Sequence, residues 1–185
     1  MDRIKVSKRI SYFLRHHPEK AGIKLDRQGW ADVGRLLAGL GVSGITIGLE
    51  ELKELVAKDD KGRFVFSEDG RAIRATHGHS VTVDLNLESQ EPPAVLYHGT
   101  AERFLQSIME QGILPGSRQM VHLSPNPGIA ETVGRRHGRP VVLEVAAGAM
   151  WQEGCKFYEA DGQTWLTDMV PARYIRGQRS ASRMA

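Results

Sequence analysis

The amino-acid sequence predicts an α+β protein built from two lobes. Apolar residues in its first half recur at helical spacing and then alternate as in a hairpin, whereas its second half shows short strands separated by short helices. This second arrangement is typical of α+β domains. Pro92-Pro93, which follows an alternating stretch at 81–90, marks a boundary between the halves. We expect lobes at 1–90 and 91–177 and a flexible tail at 178–185.

The first lobe opens with a predicted amphipathic helix over residues 2–17, because Pro18 stops a helix. At about 100° per residue, one narrow stripe of this helix contains Val6, Ile10, Phe13, Leu14 and His17. Arg15 falls on the opposite side and His16 on a flank. We therefore expect His17 to be structural, and Arg15 and His16 to face outward.

The rest of the first lobe is predicted as a strand, two helices and a hairpin. The strand is expected at 23–25, one helix is capped by Asp32, and the next opens at Thr46. The hairpin pairs 63–67 with 71–75 around a Glu-Asp-Gly turn. Helix, strand, helix, helix, hairpin is the order of a winged helix, a fold that often contacts nucleic acid.

The second lobe is predicted from shorter segments. Its expected strands are 95–98, 121–124 and 140–145, its helices are 101–111 and 128–137, and its hairpin pairs 157–159 with 164–169. The stretch after Tyr174 has the composition of a disordered tail.

Composition excludes several classes of protein. The net charge is only +3, which argues against a purely electrostatic nucleic-acid binder, although 17 of the 25 basic residues are Arg, the side chain that binds phosphate with two prongs. A single cysteine, Cys155, excludes an intrachain disulfide and a cysteine-based zinc cage. We read no signal peptide and no apolar run of about 18 residues, and therefore expect a soluble, cytoplasmic protein without a membrane partner.

Chemistry is indicated by several short polar motifs rather than by a common catalytic signature. They are Leu14-Arg15-His16, Ile73-Arg74-Ala75 followed by Gly78-His79-Ser80, Tyr97-His98-Gly99-Thr100, and Arg118 ahead of Val121-His122-Leu123-Ser124. Arg and His together bind phosphate and can neutralise a transition state, and glycine lets backbone approach a ligand. His77 and His79 have HxH spacing, but no nearby carboxylate cluster supports a metal site.

These motifs, with others, give the chain its resemblance to the NAD-dependent RNA 2′-phosphotransferases. The resemblance runs in order through SYFLRHHP, GW, IRATHGHSVTVDL, LYHGT, VHLS, VGRRHGRPVVLEV and WLTDMVP. It implies an N-terminal winged-helix lobe for RNA and a C-terminal ADP-ribosyltransferase-like lobe for NAD. The implied partners are an RNA with an internal, tRNA-like 2′-phosphate and NAD as consumed co-substrate, with no metal and no obligate protein partner.

The resemblance also implies roles for individual residues. The family's catalytic Arg-His-Arg-Arg set falls on Arg15, His16, Arg74 and Arg118, which we expect to converge on one anion site between the lobes. The family's nucleotide-binding residues fall on His98, Gly99, Thr100, His122 and Ser124. His77 departs from the family's usual Gln, and the residues before Trp165 depart from its usual Asn-Gly-Val. His79 is a second-tier candidate.

The residue chemistry agrees with the implied reaction. A phosphate monoester carries about −1.5 to −2 charge near pH 7, so as a nucleophile it needs no general base. Many ADP-ribosyltransferases place a Glu on a late strand, and the corresponding stretch here is the apolar Met169-Val170. The remaining task is to hold and neutralise an anion, which suits three guanidinium groups and an imidazole.

Two other readings compete with this one. The first is an ADP-ribosyltransferase that modifies nucleic-acid phosphate ends or protein and stops after one step. The second is a non-catalytic winged-helix binding protein. The apolar Met169-Val170 and the Arg15-His16 pair argue against the first, and the Tyr97–Thr100 motif argues against the second.

Overall fold

The computed structural model describes residues 2–180, and for 178–180 it describes the backbone alone. The chain divides into two compact units, residues 1–86 and 87–185. Each unit has its own hydrophobic core and combines helices with small antiparallel sheets, so the α+β class is confirmed.

The first unit contains three α-helices and one three-stranded antiparallel sheet. In chain order its elements are α1 (Arg3–Arg15), β1 (Ala31–Asp32), α2 (Val33–Val42), α3 (Leu49–Ala57), β2 (Phe64–Phe66) and β3 (Ala72–Ala75), with a 3-10 turn at Pro18–Ala21. The central strand is β3, which places Ile73 opposite Ala31 of β1 and Arg74 opposite Val65 of β2. The observed order of helix, strand, helix, helix and hairpin matches the predicted order, but the strand lies at Ala31–Asp32 and not at 23–25.

Helix α1 confirms most of the predicted stripe. Its buried residues are Val6, Ile10, Phe13 and Leu14. His17 does not belong to the buried stripe: its side chain is 43% exposed, its Nδ1 lies 3.0 Å from the Glu19 carboxylate, and its ring centre stands 4.7 Å from that of Tyr12. The reason is that the helix ends at Arg15 and His16 leaves helical geometry with φ of −130°, so helical spacing no longer governs His17. The predicted structural role of His17 stays a prediction.

Two other boundaries differ from prediction. Residues 23–25 form no strand, because the strand of this region lies after the Asp26 turn, at Ala31–Asp32. The third helix begins at Leu49, three residues after Thr46, since the Glu51 carboxylate accepts the Gly48 N–H (2.9 Å) and fixes the start there. Asp32 caps α2 as predicted, accepting from the N–H of Arg35 (2.8 Å).

The second unit contains two three-stranded antiparallel sheets and three short helices. Its elements are β4 (Leu96–Ala101), α4 (Leu105–Gln111), β5 (Val121–Leu123), α5 (Pro127–Gly134), β6 (Pro140–Val145), α6 (Ala147–Gln152), β7 (Tyr158–Glu159), β8 (Trp165–Thr167) and β9 (Ile175–Ser180). The sheet orders are β4-β6-β9 and β5-β8-β7. An isolated bridge between Tyr97 and Ser124 links the two sheets.

The predicted flexible tail needs a correction. Residues 175–180 form β9, which pairs along β6 with Ser180 opposite Val141. Ladder hydrogen bonds to an apolar strand order this segment despite its polar, Arg-rich composition. The rest of the expected tail, residues 181–185, lies outside the described residues. Residues 81–88 form no strand, although their apolar side chains are half-buried at alternate positions.

Candidate functional site

Two of the predicted site residues lie at the C-terminal end of α1. Arg15 is the last residue of the helix, and His16 caps it, donating its N–H to the carbonyl oxygen of Tyr12 (3.2 Å). Pro18 follows at once, so the helix cannot continue. The sequence therefore presents Arg15 and His16 from a helix terminus, next to each other.

The Gly78-His79-Ser80 segment is fastened to this helix end. The Ser80 N–H donates to the carbonyl oxygen of Arg15 (2.9 Å), and Ser80 Oγ lies 2.9 Å from His16 Nδ1. Gly78 has a φ of 86°, and a Cβ there would stand 3.3 Å from Arg15 Nη1. Glycine adopts this positive φ at low energetic cost and has no Cβ to crowd Arg15. The segment thus holds Arg15 and His16 in place.

Arg74 reaches the same region from β3. Its strand neighbours on either side enter the core, so its own side chain points the opposite way. The guanidinium carbon stands 4.5 Å from the ring centre of Trp30, and Nη1 donates to the carbonyl oxygens of Gln28 (3.3 Å) and Leu85 (3.4 Å). Burial lowers the pKa of Arg74, an effect that the carboxylate of Asp26 opposes.

His79 is the buried member of this group, with 3% of its surface exposed. Its Nε2 has no hydrogen-bond partner among the described residues. Burial lowers the pKa of His79 from 6.5 to about 4, and repulsion from nearby basic groups adds to the effect. Those groups are Arg15, His77, His16 and Arg74. We call these four residues and His79 the basic cluster.

The second unit carries the predicted nucleotide-binding residues on adjacent strands. His98, Gly99 and Thr100 lie on β4 and His122 lies on β5, with Ser124 just after it. Thr100 and Ser124 are buried, and Ser124 Oγ accepts from the N–H of Asn126 (3.1 Å). These two residues therefore shape the junction of the strands, whereas the histidines are half-buried.

Hydrogen bonds fix the protonated nitrogen of each histidine. Because a carbonyl oxygen only accepts, Nδ1 of His98 donates to the His122 carbonyl (3.2 Å), and Nδ1 of His122 donates to the Met120 carbonyl (3.0 Å). Burial lowers the pKa of His98 against the opposing effect of its hydrogen bond to the His122 carbonyl, and repulsion from Arg118 and His137 lowers it further. Neutral His98 therefore offers Nε2 as an acceptor for a hydroxyl group.

Gly99 allows β4 and α5 to touch backbone to backbone. A Cβ at position 99 would stand 1.7 Å from the carbonyl oxygen of Ala130, and one at Gly134 would stand 2.5 Å from that of Thr100. No real Cβ makes contacts this short. Gly99 is thus required for packing against α5, and its predicted role in the approach of backbone to a ligand stays a prediction.

Arg118 is an exposed residue that follows a turn, its N–H donating to the carbonyl oxygen of Pro115 (3.2 Å). Its guanidinium makes no hydrogen bond or ion pair with the side chains that the structure describes. Desolvation lowers the pKa of Arg118, and repulsion from Arg136 contributes. A guanidinium in such a setting favours an anionic ligand.

The predicted residues thus form two groups. Arg15, His16 and Arg74 lie together in the first unit, and Arg118 lies near His98 in the second. The sequence analysis assigned no role to Trp30, which contacts Arg74. The signals for it were the turn that precedes it and the GW block of the family resemblance. Trp165 is 6% exposed and packs in the core of the second unit.

Two observations concern metals and membranes. Within residues 2–180, no group of three or more His, Cys, Asp or Glu side chains could hold a metal ion, so His77 and His79 find no further ligand there. In the same part of the chain, every helix is too short or too polar to cross a bilayer.

Comparison with known proteins shows the family of this chain. A family model described as RNA 2′-phosphotransferase, Tpt1 / KptA family, matches residues 1–169. The chain belongs to this family. Proteins named probable RNA 2′-phosphotransferase from Agrobacterium fabrum, Acaryochloris marina and Pseudomonas fluorescens are 55%, 50% and 47% identical to it. The alignments cover 91–92% of this chain and 91–94% of the relatives.

Membership in the RNA 2′-phosphotransferase family confirms the resemblance carried by the seven sequence blocks. It also makes a transferase the class of activity that the site must explain. The matched region contains the whole basic cluster and every predicted nucleotide-binding residue. Strand β9 lies beyond it.

Proposed function

We propose that the chain transfers an internal 2′-phosphate from RNA to NAD, giving 2′-hydroxyl RNA, nicotinamide and ADP-ribose 1″,2″-cyclic phosphate. In this proposal residues 1–90 are a winged-helix lobe that binds RNA, and residues 91–177 are an ADP-ribosyltransferase-like lobe that binds NAD. The basic cluster carries the proposal, because it joins three of the family's four implied catalytic residues, Arg15, His16 and Arg74.

The cluster is suited to a phosphate monoester of about −1.5 to −2 charge. Arg15 and Arg74 bring two permanent positive charges, and a guanidinium can contact phosphate with two parallel N–H groups. His79 remains neutral in their midst because of its lowered pKa, so it adds no charge that would push the two arginines apart. His16 adds a ring held against Ser80.

The second unit has donors and acceptors that fit NAD. Nε2 of neutral His98 can accept from a ribose hydroxyl, because its Nδ1–H is already used on the His122 carbonyl. Arg118 supplies a guanidinium for the transferred 2′-phosphate once that phosphate is bonded to the NAD ribose. NAD itself would supply an electrophilic ribose carbon that carries nicotinamide as its leaving group. We propose that His98, Gly99, Thr100, His122 and Ser124 form its binding surface.

In the first proposed step, a 2′-phosphate oxygen bonds to the ribose C1″ while the bond from C1″ to nicotinamide breaks. The phosphate is ionised beforehand, so the residues need only orient it, and no carboxylate base is required. The stretch Met169-Val170 is consistent with this: Val170 is buried and pairs with Ile113, and Met169 is apolar. The product is RNA whose 2′-phosphate carries ADP-ribose.

In the second proposed step, the ribose 2″-hydroxyl bonds to phosphorus as the bond from phosphorus to the RNA 2′-oxygen breaks. The hydroxyl loses its proton and the RNA oxygen gains one, so charge balances. Negative charge grows on the phosphoryl oxygens during this exchange. We propose that Arg15, His16, Arg74 and Arg118 all act on that one phosphate and neutralise this charge.

The decisive experiment supplies purified protein with NAD and an oligoribonucleotide that carries one internal 2′-phosphate. We expect the RNA to lose the phosphate, with formation of equal amounts of nicotinamide and ADP-ribose 1″,2″-cyclic phosphate. Arg15→Ala and Arg74→Ala should each abolish turnover, while Arg71→Ala, a change at an exposed arginine of the same region, should leave it intact.

Other outcomes would support the competing functions. ADP-ribose that stays attached to a phosphate end or to protein, without phosphate release, would indicate a one-step ADP-ribosyltransferase. RNA binding with no consumption of NAD would indicate a binding protein. Either result would overturn the proposal.

A further inference from the structure

We propose that Trp30 is a positioning residue. The turn from Asp26 to Trp30 fixes the Arg74 guanidinium against the indole face and so orients it to bind the RNA 2′-phosphate. This inference rests on the proposed function, because it assumes that Arg74 contacts that phosphate. It assigns a role to a tryptophan outside the Arg-His-Arg-Arg set.

The turn itself is closed by its own hydrogen bonds. Asp26 Oδ1 accepts from the N–H groups of Gln28 (2.8 Å) and Trp30 (2.9 Å), and the Asp26 N–H donates to the Trp30 carbonyl oxygen (2.9 Å). Gly29 supports the turn with a φ of 81°. Trp30 and the Gln28 carbonyl are therefore held in fixed relation before any ligand arrives.

This rigid turn contacts Arg74 in two ways. The indole lies 4.5 Å from the guanidinium carbon, the shortest of the cation–π distances among the described residues, and Trp is the strongest of the aromatic partners. The Gln28 carbonyl, with that of Leu85, takes hydrogen bonds from Nη1. One face of the guanidinium and its Nη1 group are thus occupied.

The opposite edge of the guanidinium is unpaired within the described residues, and its Nε is buried. Arg74 Nε and Nη2 make no hydrogen bond to any residue in the described part of the chain. These two nitrogens form the side-on fork with which arginine binds two oxygens of one phosphate. The contacts of Trp30 and Gln28 therefore orient the guanidinium and leave its phosphate-binding edge unused.

Packing alone does not account for Trp30. The residue is half-buried, and it is not among the partly buried hydrophobic side chains that pack on the core of the first unit, which are Tyr12, Leu25, Leu37, Val56 and Phe66. Its ring face is directed to a cation instead. A core residue would be replaceable by another apolar side chain, whereas a cation platform requires an aromatic ring.

The test measures discrimination between two RNAs in the absence of NAD. Fluorescence anisotropy gives the Kd for an oligoribonucleotide with one internal 2′-phosphate and the Kd for its 2′-hydroxyl counterpart. The Kd of the 2′-hydroxyl RNA divided by the Kd of the 2′-phosphorylated RNA reports the phosphate contact. Trp30→Leu should reduce this ratio about tenfold, and Trp30→Phe, which keeps a weaker ring face, about threefold. In an Arg74→Ala background, Trp30→Leu should change the ratio no further.

Trp151→Leu is the matched control, because Trp151 is a half-buried tryptophan packed on the core of the other unit. It should leave the ratio unchanged. An unchanged ratio in Trp30→Leu, or an equal loss in Trp151→Leu, would overturn the role of Trp30. If Trp30→Leu does not fold, an unchanged ratio in Trp30→Phe decides in the same way. If the unmodified protein itself does not discriminate, the proposed function fails instead.

Discussion

Replacing Gly99 by alanine tests the contact between β4 and α5. The new Cβ would stand 1.7 Å from the Ala130 carbonyl oxygen, whereas ordinary contacts of this kind begin near 3.4 Å. Helix α5 would therefore have to move by more than an ångström, and its second close contact, at Gly134, would be lost with it. Overpacking of a well-packed site costs about 1–3 kcal/mol, and this backbone clash belongs at the upper end.

A loss of about 3 kcal/mol would lower the melting temperature of a unit of about 100 residues by roughly 15 °C. Differential scanning calorimetry measures this, and the KM for NAD reports whether the NAD site proposed at the β4–α5 junction is affected. Gly41→Ala is the matched control. Gly41 lies in α2 with open space around its missing Cβ, so alanine there should raise stability by about 0.5–1 kcal/mol. Equal melting temperatures for Gly99→Ala and the unmodified protein would refute the packing argument.

Three further results are expected. Arg118→Ala should slow the second chemical step by about 10²–10³ and the first step less, so that RNA carrying an ADP-ribosylated 2′-phosphate accumulates on gels. Arg118→Lys should restore the second step only partly. Equal slowing of both steps would contradict this. Because the pKa of His79 is lowered, the unfolded state takes up its proton first as the pH falls. Up to roughly 3 kcal/mol of unfolding free energy should therefore be lost between pH 6.5 and 4. In His79→Leu, the unfolding free energy measured with urea should depend less steeply on pH. Turnover should persist in excess EDTA, because cationic side chains act on the phosphate; loss restored by a divalent ion would argue for a metal instead.

Helical parts of the fold were predictable where one interaction dominates. The apolar stripe of α1 and the Asp32 cap appear in the sequence, because burial of one face and a single side-chain hydrogen bond determine them. His17 was wrongly assigned to the buried stripe because helical spacing was extended past the residue at which the helix ends. Strand β9 was missed since its order comes from pairing with β6, a partner 30 or more residues away.

The candidate site was predictable as a set of residue types but not as a geometry. Arg15, His16 and Arg74 were identified through a family resemblance, and the hydrogen bonds of Ser80 that hold the first two have no signal of their own in the sequence. Trp30 was missed for a related reason. Whether an indole packs in a core or faces a cation depends on β3, 44 residues further along the chain.

Strand β9 has a practical consequence for anyone who shortens this protein. The family match ends at residue 169, and a boundary drawn there would remove the strand that covers one edge of β6. Four of the six residues of β6 are buried Val or Leu, so the uncovered edge would offer an apolar strand with unpaired N–H and C=O groups. Such edges recruit strands from other molecules. A chain cut after residue 174 should therefore form inclusion bodies or elute as aggregates, whereas the full chain should not.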